Sequence, residues 1–232
     1  MPRRRRTENI MEQKRLTIFL GHYGSGKTNI AVNYALSLAR EGKRVCIADL
    51  DIVNPYFRTK DSEKELSEAG VTLISPRYAN TNVDLPALPP ESYRPVQDKS
   101  VFGVLDIGGD DRGAYALGRF ADAIKKENDY CAAFVANCHR PLTKTPKDAL
   151  EIMREIEAAS GISFTCIVNN SNLGEYTTKE TLLDSIEFIN ELCLISGLPL
   201  WMHTAKAEIA AEITEIPVFP LTLQKKYFDL PD

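Results

Sequence analysis

Short runs of apolar residues alternate along this chain with longer stretches in which apolar and polar positions mix at helical spacing. The runs at 16–20, 44–48, 71–75, 101–105, 130–136 and 164–168 have the length and apolar content of buried strands. The stretches at 29–40, 62–69, 113–126, 145–159 and 178–196 read as helices. Gly42 and Gly70 stand where a helix stops, and Thr145-Pro146 supplies an N-cap followed by proline in the first helical position. Residues 198–202 read as extended, and shorter elements are expected at 217–219 and 223–227. Strands separated by helix-length segments imply an α/β chain with a mostly parallel sheet and helices on both faces. One segment breaks the rhythm. Residues 76–100 carry Pro76, Pro86, Pro89, Pro90 and Pro95 with little periodicity, which predicts an irregular, exposed excursion.

In sheets of this kind ligands sit at the carboxyl ends of the strands. That rule gathers residues 21–28, Asp49, Asp51, residues 106–111, residues 137–140 and Asn169-Asn170 along one rim, because each follows an apolar run. The first of these is Gly21-His22-Tyr23-Gly24-Ser25-Gly26-Lys27-Thr28, which fits the phosphate-loop pattern Gly-x-x-x-x-Gly-Lys-Thr between a strand and a helix. Its glycines let the backbone wrap a phosphate chain, and the helix start adds free N–H groups and a positive dipole end. Gly21, Gly24, Ser25, Gly26 and Asn29 are the expected cradle, Lys27 reaches the outer phosphates, and the Thr28 hydroxyl holds Mg²⁺.

Such a site needs a carboxylate on a neighbouring strand tip. Asp106 ends an apolar strand, and Asp106-Ile107-Gly108-Gly109 has the shape of a phosphate-sensing switch in which Gly109 offers its N–H. Asp49-Leu50-Asp51 is a second acidic tip, able to orient an attacking water and to help organise the metal. The Cys138-His139 pair lacks the further ligands a metal site requires, and His139 or Arg140 is a candidate for touching nucleotide or a partner.

The loop, the Asp49-x-Asp51 tip and Asp106-x-x-Gly109 together resemble the MinD/ParA family of P-loop ATPases, over residues 16–219. The wider group holds nitrogenase iron protein, arsenite-pump ATPases and metallocentre accessory NTPases. The resemblance implies a three-layer P-loop NTPase fold and binding of ATP with Mg²⁺. It implies Lys27 and Asp51 as the catalytic pair, Thr28, Asp49 and Asp106 around the metal, and Asn169 against the base. It further implies slow or partner-stimulated hydrolysis, a nucleotide-dependent homodimer, and a switch acting on a protein partner, as in metallocentre or iron–sulfur enzyme maturation. Two positions depart from the pattern. His22 stands where relatives carry a signature lysine that reaches across the dimer, and Asn29 where many have a second threonine. A neutral imidazole lacks that permanent charge, although a protonated one has it; an arginine such as Arg112 or Arg119 is an alternative source. The loop also resembles the GTPases of urease and hydrogenase maturation. Asn169-Asn170-Ser171-Asn172, however, has no acid to pair with a guanine edge, so adenine is favoured. A small-molecule kinase or ligase, with residues 76–100 over an acceptor pocket, is the rival from a different class, and a non-catalytic nucleotide sensor is another.

Composition narrows this little. The 232 residues are 44% hydrophobic and 26% charged, which fits one domain at 15–232 preceded by a disordered basic arm at 1–14 that holds the arginines 3–6. The formal net charge of −4 despite that arm argues against nucleic acid as a partner. No Cys-x-x-Cys pair exists among the five cysteines, so a disulfide framework is not expected. No apolar run is long enough to cross a membrane and the C-terminal residues 221–232 close acidic, so the expectation is a cytoplasmic protein without stable membrane binding.

Overall fold

The computed structural model describes residues 12–51, 59–75, 90–109 and 111–223. The arm up to residue 11, the excursion from 76 to 89, Asp110 and nearly all of the element expected at 223–227 lie outside the described residues. The strands are β1 (Leu16–Leu20), β2 (Val45–Leu50), β3 (Thr72–Ile74), β4 (Phe102–Ile107), β5 (Tyr130–Ala136), β6 (Cys166–Asn169), β7 (Leu200–Lys206) and β8 (Val218–Leu221). They form one sheet in the order β3-β2-β4-β1-β5-β6-β7-β8, with every neighbouring pair parallel. β1 lies between β4 and β5, so the chain runs to one side of β1 up to β4 and then crosses to the other. The carboxyl end of β1 is therefore the switch point at which open parallel sheets bind ligands.

The helices are α1 (Lys27–Arg40), α2 (Glu63–Glu68), α3 (Arg94–Gln97), α4 (Asp111–Gly118), α5 (Ala121–Glu127), α6 (Pro146–Ser160), α7 (Lys179–Asp184), α8 (Ile186–Ser196) and α9 (Ala207–Glu212). Period-two alternation in the strands sorts their side chains to two faces. Leu16, Ile18, Leu20, Cys46, Ala48, Leu105, Phe134 and Ile167 share a buried layer with Leu117, Phe120, Ile124, Met153 and Leu192 of the helical layer formed by α3 to α6 and α8. Phe19, Ile47, Val104, Val135 and Val168 meet Ile30, Tyr34, Leu38 and Leu66 of α1 and α2 on the other face. Trp201 reaches from β7 to stack on Phe19, with ring centroids 5.9 Å apart and planes 8° from parallel, and Tyr34 meets both rings edge-on. That reach needs the small Cys131, Ala133 and Cys166 on the intervening strands. All five cysteines are free.

Four expectations change. Residues 90–97, expected to be irregular, form two helical turns, because Pro95 and Val96 are buried against β4 and proline suits a helix start. The helix expected at 113–126 breaks into α4 and α5 after Gly118, a poor helix former, and Phe120 packs into the core against Tyr93 with centroids 4.5 Å apart. The helix expected at 178–196 is divided at Ser185, whose Oγ donates to Leu182 O (2.7 Å). The extended stretch at 198–202 continues as β7 to Lys206, which carries His203 and Thr204 to the ligand-side rim.

Candidate functional site

β1 ends at Leu20, and α1 opens at Lys27 with Gly26 as a left-handed N-cap (φ 89°) that has no side-chain cap. The loop closes on itself through Ser25 N donating to His22 O (3.2 Å). Lys27 is buried, and its Nζ folds back to donate to His22 O at 3.2 Å. Beneath the loop, the Asn170 Nδ2 donates to Ser25 O (2.7 Å) while its Oδ1 accepts from Thr204 Oγ1 (2.7 Å). A Cβ at Gly26 would stand 2.2 Å from that Nδ2, besides forcing a left-handed conformation on a residue with a side chain. Gly26→Ala is therefore expected to destabilise the fold by about 1–3 kcal/mol and to weaken phosphate binding. Scanning calorimetry and ligand titration check it; an unchanged melting temperature would show that Asn170 is not holding the loop.

The acidic tips face this loop. Asp49 and Asp106 are register neighbours on β2 and β4, on the sheet face that α1 covers. Asp106, 1% exposed, accepts from Thr59 Oγ1 (3.0 Å) and hydrogen-bonds Thr28, while its Oδ1 has no hydrogen-bond partner. Burial pushes its carboxyl up to about 6; Lys27, Thr28 and Thr59 pull it down, and the charge of Asp51 pushes it up. Asp51 N donates to Asp49 Oδ1 (3.0 Å), so the two acids of the second tip form one turn. Gly109 seats the turn after β4 directly on the loop: a Cβ there would fall 2.6 Å from Tyr23 N and 2.8 Å from Lys27 Nζ. Gly21 packs against the backbone of Val135, and the Asn29 carbonyl accepts from Asn33 Nδ2 (2.8 Å). The structure thus brings together residues 21–29, Asp49, Asp51, Asp106 and Gly109.

Asn169 is placed elsewhere. It is fully buried, and its Nδ2 donates to Ser185 Oγ (2.8 Å) and faces His203 Nδ1 at 3.0 Å, while Oδ1 accepts from Ser171 N. Strand alternation explains this: α1 covers the face of Cys166 and Val168, so the following even position, Asn170, reaches the loop. The alternation is written in the sequence; the face that α1 covers is not. Since the Asn169 amide nitrogen can only donate, the His203 Nδ1 accepts, and burial lowers the basicity of this imidazole.

The basicity of His22 is also lowered, although its hydrogen bond to Tyr23 works the other way. Burial lowers its pKa first, the Lys27 and Arg140 charges add to that, and its Nδ1–H donates to Tyr23 O (3.0 Å). Of the arginines considered from sequence, Arg119 is exposed beyond the far end of α4, and the side chain of Arg112 lies outside the described residues. Arg140 instead lies over Gly24, where a Cβ would stand 3.4 Å from its Cζ and Nε. Ser25 Oγ, Asp106 Oδ1 and Arg140 Nε are three of the four buried polar side-chain atoms without a partner among the described residues, and all three border the loop. No motif announces Thr59, and the sequence puts Asn170 only on the rim; the folded chain sets it beneath the loop.

A strand, a glycine-rich phosphate loop and a helix at the switch point of a parallel sheet, with buried acids on the adjacent tips, define a P-loop nucleotide-binding protein. Residues 16–177 match the model of the CobQ/CobB/MinD/ParA nucleotide binding domain, and the chain belongs to that family. Among solved structures it is similar to FtsY from Mycoplasma mycoides (TM-score 0.56, 18% identity, 84% of this chain and 62% of that one). It is likewise similar to cell division protein FtsY from Thermotoga maritima (0.56, 16%, 84% and 63%). A third is the signal recognition particle 54 kDa protein from Aeropyrum pernix K1 in complex with GDP (0.53, 16%, 81% and 40%). At these identities the likeness concerns the fold, and this chain spans less than two thirds of each of those chains. No curated protein sequence matches it.

Proposed function

We propose that this protein is a Mg²⁺-dependent ATPase that serves as a nucleotide-driven switch on a protein partner. The observation that carries the reading is Asp106: a carboxylate oxygen buried without a partner, hydrogen-bonded on its other side and pressed against Lys27 and Thr28. A buried acid left half-satisfied fits a hard cation held directly or through water, and Mg²⁺ characteristically takes only one or two carboxylates beside phosphate oxygens. Thr28 and Asp106 would hold it, with Asp49 beside them. When bound, Mg²⁺ supplies positive charge to the β- and γ-phosphates. Lys27 leaves the His22 carbonyl to grip the outer phosphates, and Asp51 orients the attacking water. Gly109, packed on Tyr23 and Lys27, senses whether the terminal phosphate is in place, and the turn after β4 shifts when it leaves.

Adenine is the base this reading favours. The loop from 170 to 178 carries asparagines at its start, and its one acid, Glu175, is exposed. Guanine specificity calls for a carboxylate facing the base edge.

The partner reading rests on the rim. Tyr23, Tyr115, Leu142, Leu173 and Tyr176 are exposed large apolar side chains, and they lie on segments leaving the carboxyl ends of β1, β4, β5 and β6. Apolar side chains gathered around a nucleotide site suit a surface that docks when the switch closes. Light-scattering mass measured with Mg²⁺ and an ATP analogue, ADP or a GTP analogue tests both parts. A doubled mass with the ATP analogue alone is the expected result. Tighter binding of the GTP analogue would overturn the adenine assignment. An unchanged mass in protein saturated with the ATP analogue would leave only a partner of different sequence for this rim.

A further inference from the structure

The phosphate chain of a nucleotide stays anionic after one lysine and one divalent cation, so a site of this kind needs further positive charge. His22 lacks the permanent charge of a lysine, and burial lowers the basicity of its imidazole. Arg140 stands where it is needed. It follows β5, the strand next to β1, in a loop with little freedom. Arg140 N donates to Asn137 O (3.2 Å) and Thr143 N donates to Arg140 O (3.1 Å). Thr143 Oγ1 donates to the same Asn137 carbonyl (2.7 Å), and the Asn137 side chain accepts from His139 N (3.0 Å) and Asn172 N (3.3 Å). Asn137 itself is fully buried, so this turn is anchored in the sheet.

The side chain runs from that anchor across the phosphate loop. Its Cζ and Nε lie 3.4 Å from the position a Cβ on Gly24 would take. That distance is van der Waals contact, so the guanidinium lies directly against the loop at Gly24. Nε is buried and makes no hydrogen bond, and Arg140 makes no ion pair with a carboxylate among the described residues. A guanidinium left with a buried unpaired donor is costly unless an anion completes it. Its planar fork matches phosphate oxygens, which accept two parallel hydrogen bonds from it.

We propose that Arg140 is a phosphate ligand supplied by the chain itself: its guanidinium donates to oxygens of the phosphate chain where that chain passes Gly24, on the β5 side of the loop. The proposal rests on the nucleotide reading above and deepens it. It has a consequence for the missing lysine. Charge that the resemblance would draw from a second copy is already present within one chain, so tight phosphate binding does not require a dimer.

The test uses the full-length protein and its Arg140→Ala, Arg140→Gln and Arg140→Lys variants. Titration calorimetry with Mg²⁺ is run with two probes, a non-hydrolysable ATP analogue and inorganic triphosphate, which has no base or sugar. Arg140→Ala and Arg140→Gln are expected to weaken both probes by about 10- to 100-fold, and Arg140→Lys to fall between them and the wild type. The melting temperature without ligand should be little changed, because the anchoring bonds of this turn are made by backbone and by Asn137. Glutamine keeps much of the side chain's bulk, so wild-type affinity in Arg140→Gln would overturn the charged role. Weakened nucleotide binding with undiminished inorganic triphosphate binding would also overturn the proposal, since it would place the contact on the base or sugar. A wild type that binds neither probe would remove the nucleotide reading, and Arg140 with it, whereas wild-type-like binding by Arg140→Ala removes Arg140 alone.

Discussion

Replacing Lys27 with alanine is expected to lower affinity for a Mg-bound ATP analogue by about 10²–10³-fold, which corresponds to roughly 3–4 kcal/mol. The magnitude follows from where the ammonium sits. Lys27 is 6% exposed, at the first residue of α1, with its Nζ only 3.2 Å from the His22 carbonyl of its own loop. A charge-assisted hydrogen bond to phosphate in so dry a place is stronger than one at the surface. Arginine is expected to be a poor substitute. The Gly109 backbone approaches so closely that even a Cβ there would lie 2.8 Å from Nζ, leaving no room for a guanidinium. Titration calorimetry decides the matter, and affinity retained in full would remove Lys27 from the site.

The second large effect belongs to Asp106, and it has two opposite signs. In metal-free protein its carboxyl is pushed up to about 6, mainly by burial, whereas an unfolded chain gives about 3.9. A folded pKa raised above the unfolded one contributes stability that is fully present below the unfolded value and is lost as pH rises through the folded value. The apo protein is therefore expected to lose, from this group, about 1–3 kcal/mol between pH 4 and pH 7. Asp106→Asn removes that loss, so the variant should resist urea better than the wild type at pH 7.5 in the presence of a chelator. The gain is partly offset because Lys27 loses a neighbouring acid. On the proposal that Asp106 holds the cation, the same substitution is expected to abolish the strengthening of nucleotide binding by Mg²⁺ and to lower turnover by about 10²-fold or more. Urea midpoints at pH 5 and pH 7.5, with nucleotide titrations with and without Mg²⁺, check both signs. A variant less stable than the wild type at pH 7.5 would show that Asp106 is stabilised as the anion in the apo state.

Much of this molecule was legible in its apolar pattern. The strands and the main helices fall where short apolar runs and helical spacing place them, because a strand buried on both faces must be apolar throughout and a covering helix need be so on one side only. The places where the reading slipped share a cause. α3 forms because Pro95 and Val96 find cover against β4, and the breaks at Gly118 and Ser185 arise where Phe120 enters the core and where Ser185 meets Asn169. Each depends on a contact between residues distant in the chain, which local spacing does not encode.

The site divides in the same way. The sequence by itself determined the phosphate loop and the acids Asp49, Asp51 and Asp106 near the strand ends, since a loop that wraps phosphate must carry glycines and a lysine at set intervals, and the acid that follows an apolar run falls at the ligand-side end of its strand. Only the tertiary structure decided that Asn170 supports the loop, that Thr59 donates to Asp106, and that Arg140 lies across Gly24. The physical reason is that crossover connections, not chain neighbours, bring the ends of β1, β4, β5 and β6 together. Which side chain then points at the loop depends on strand register and on the face that α1 covers.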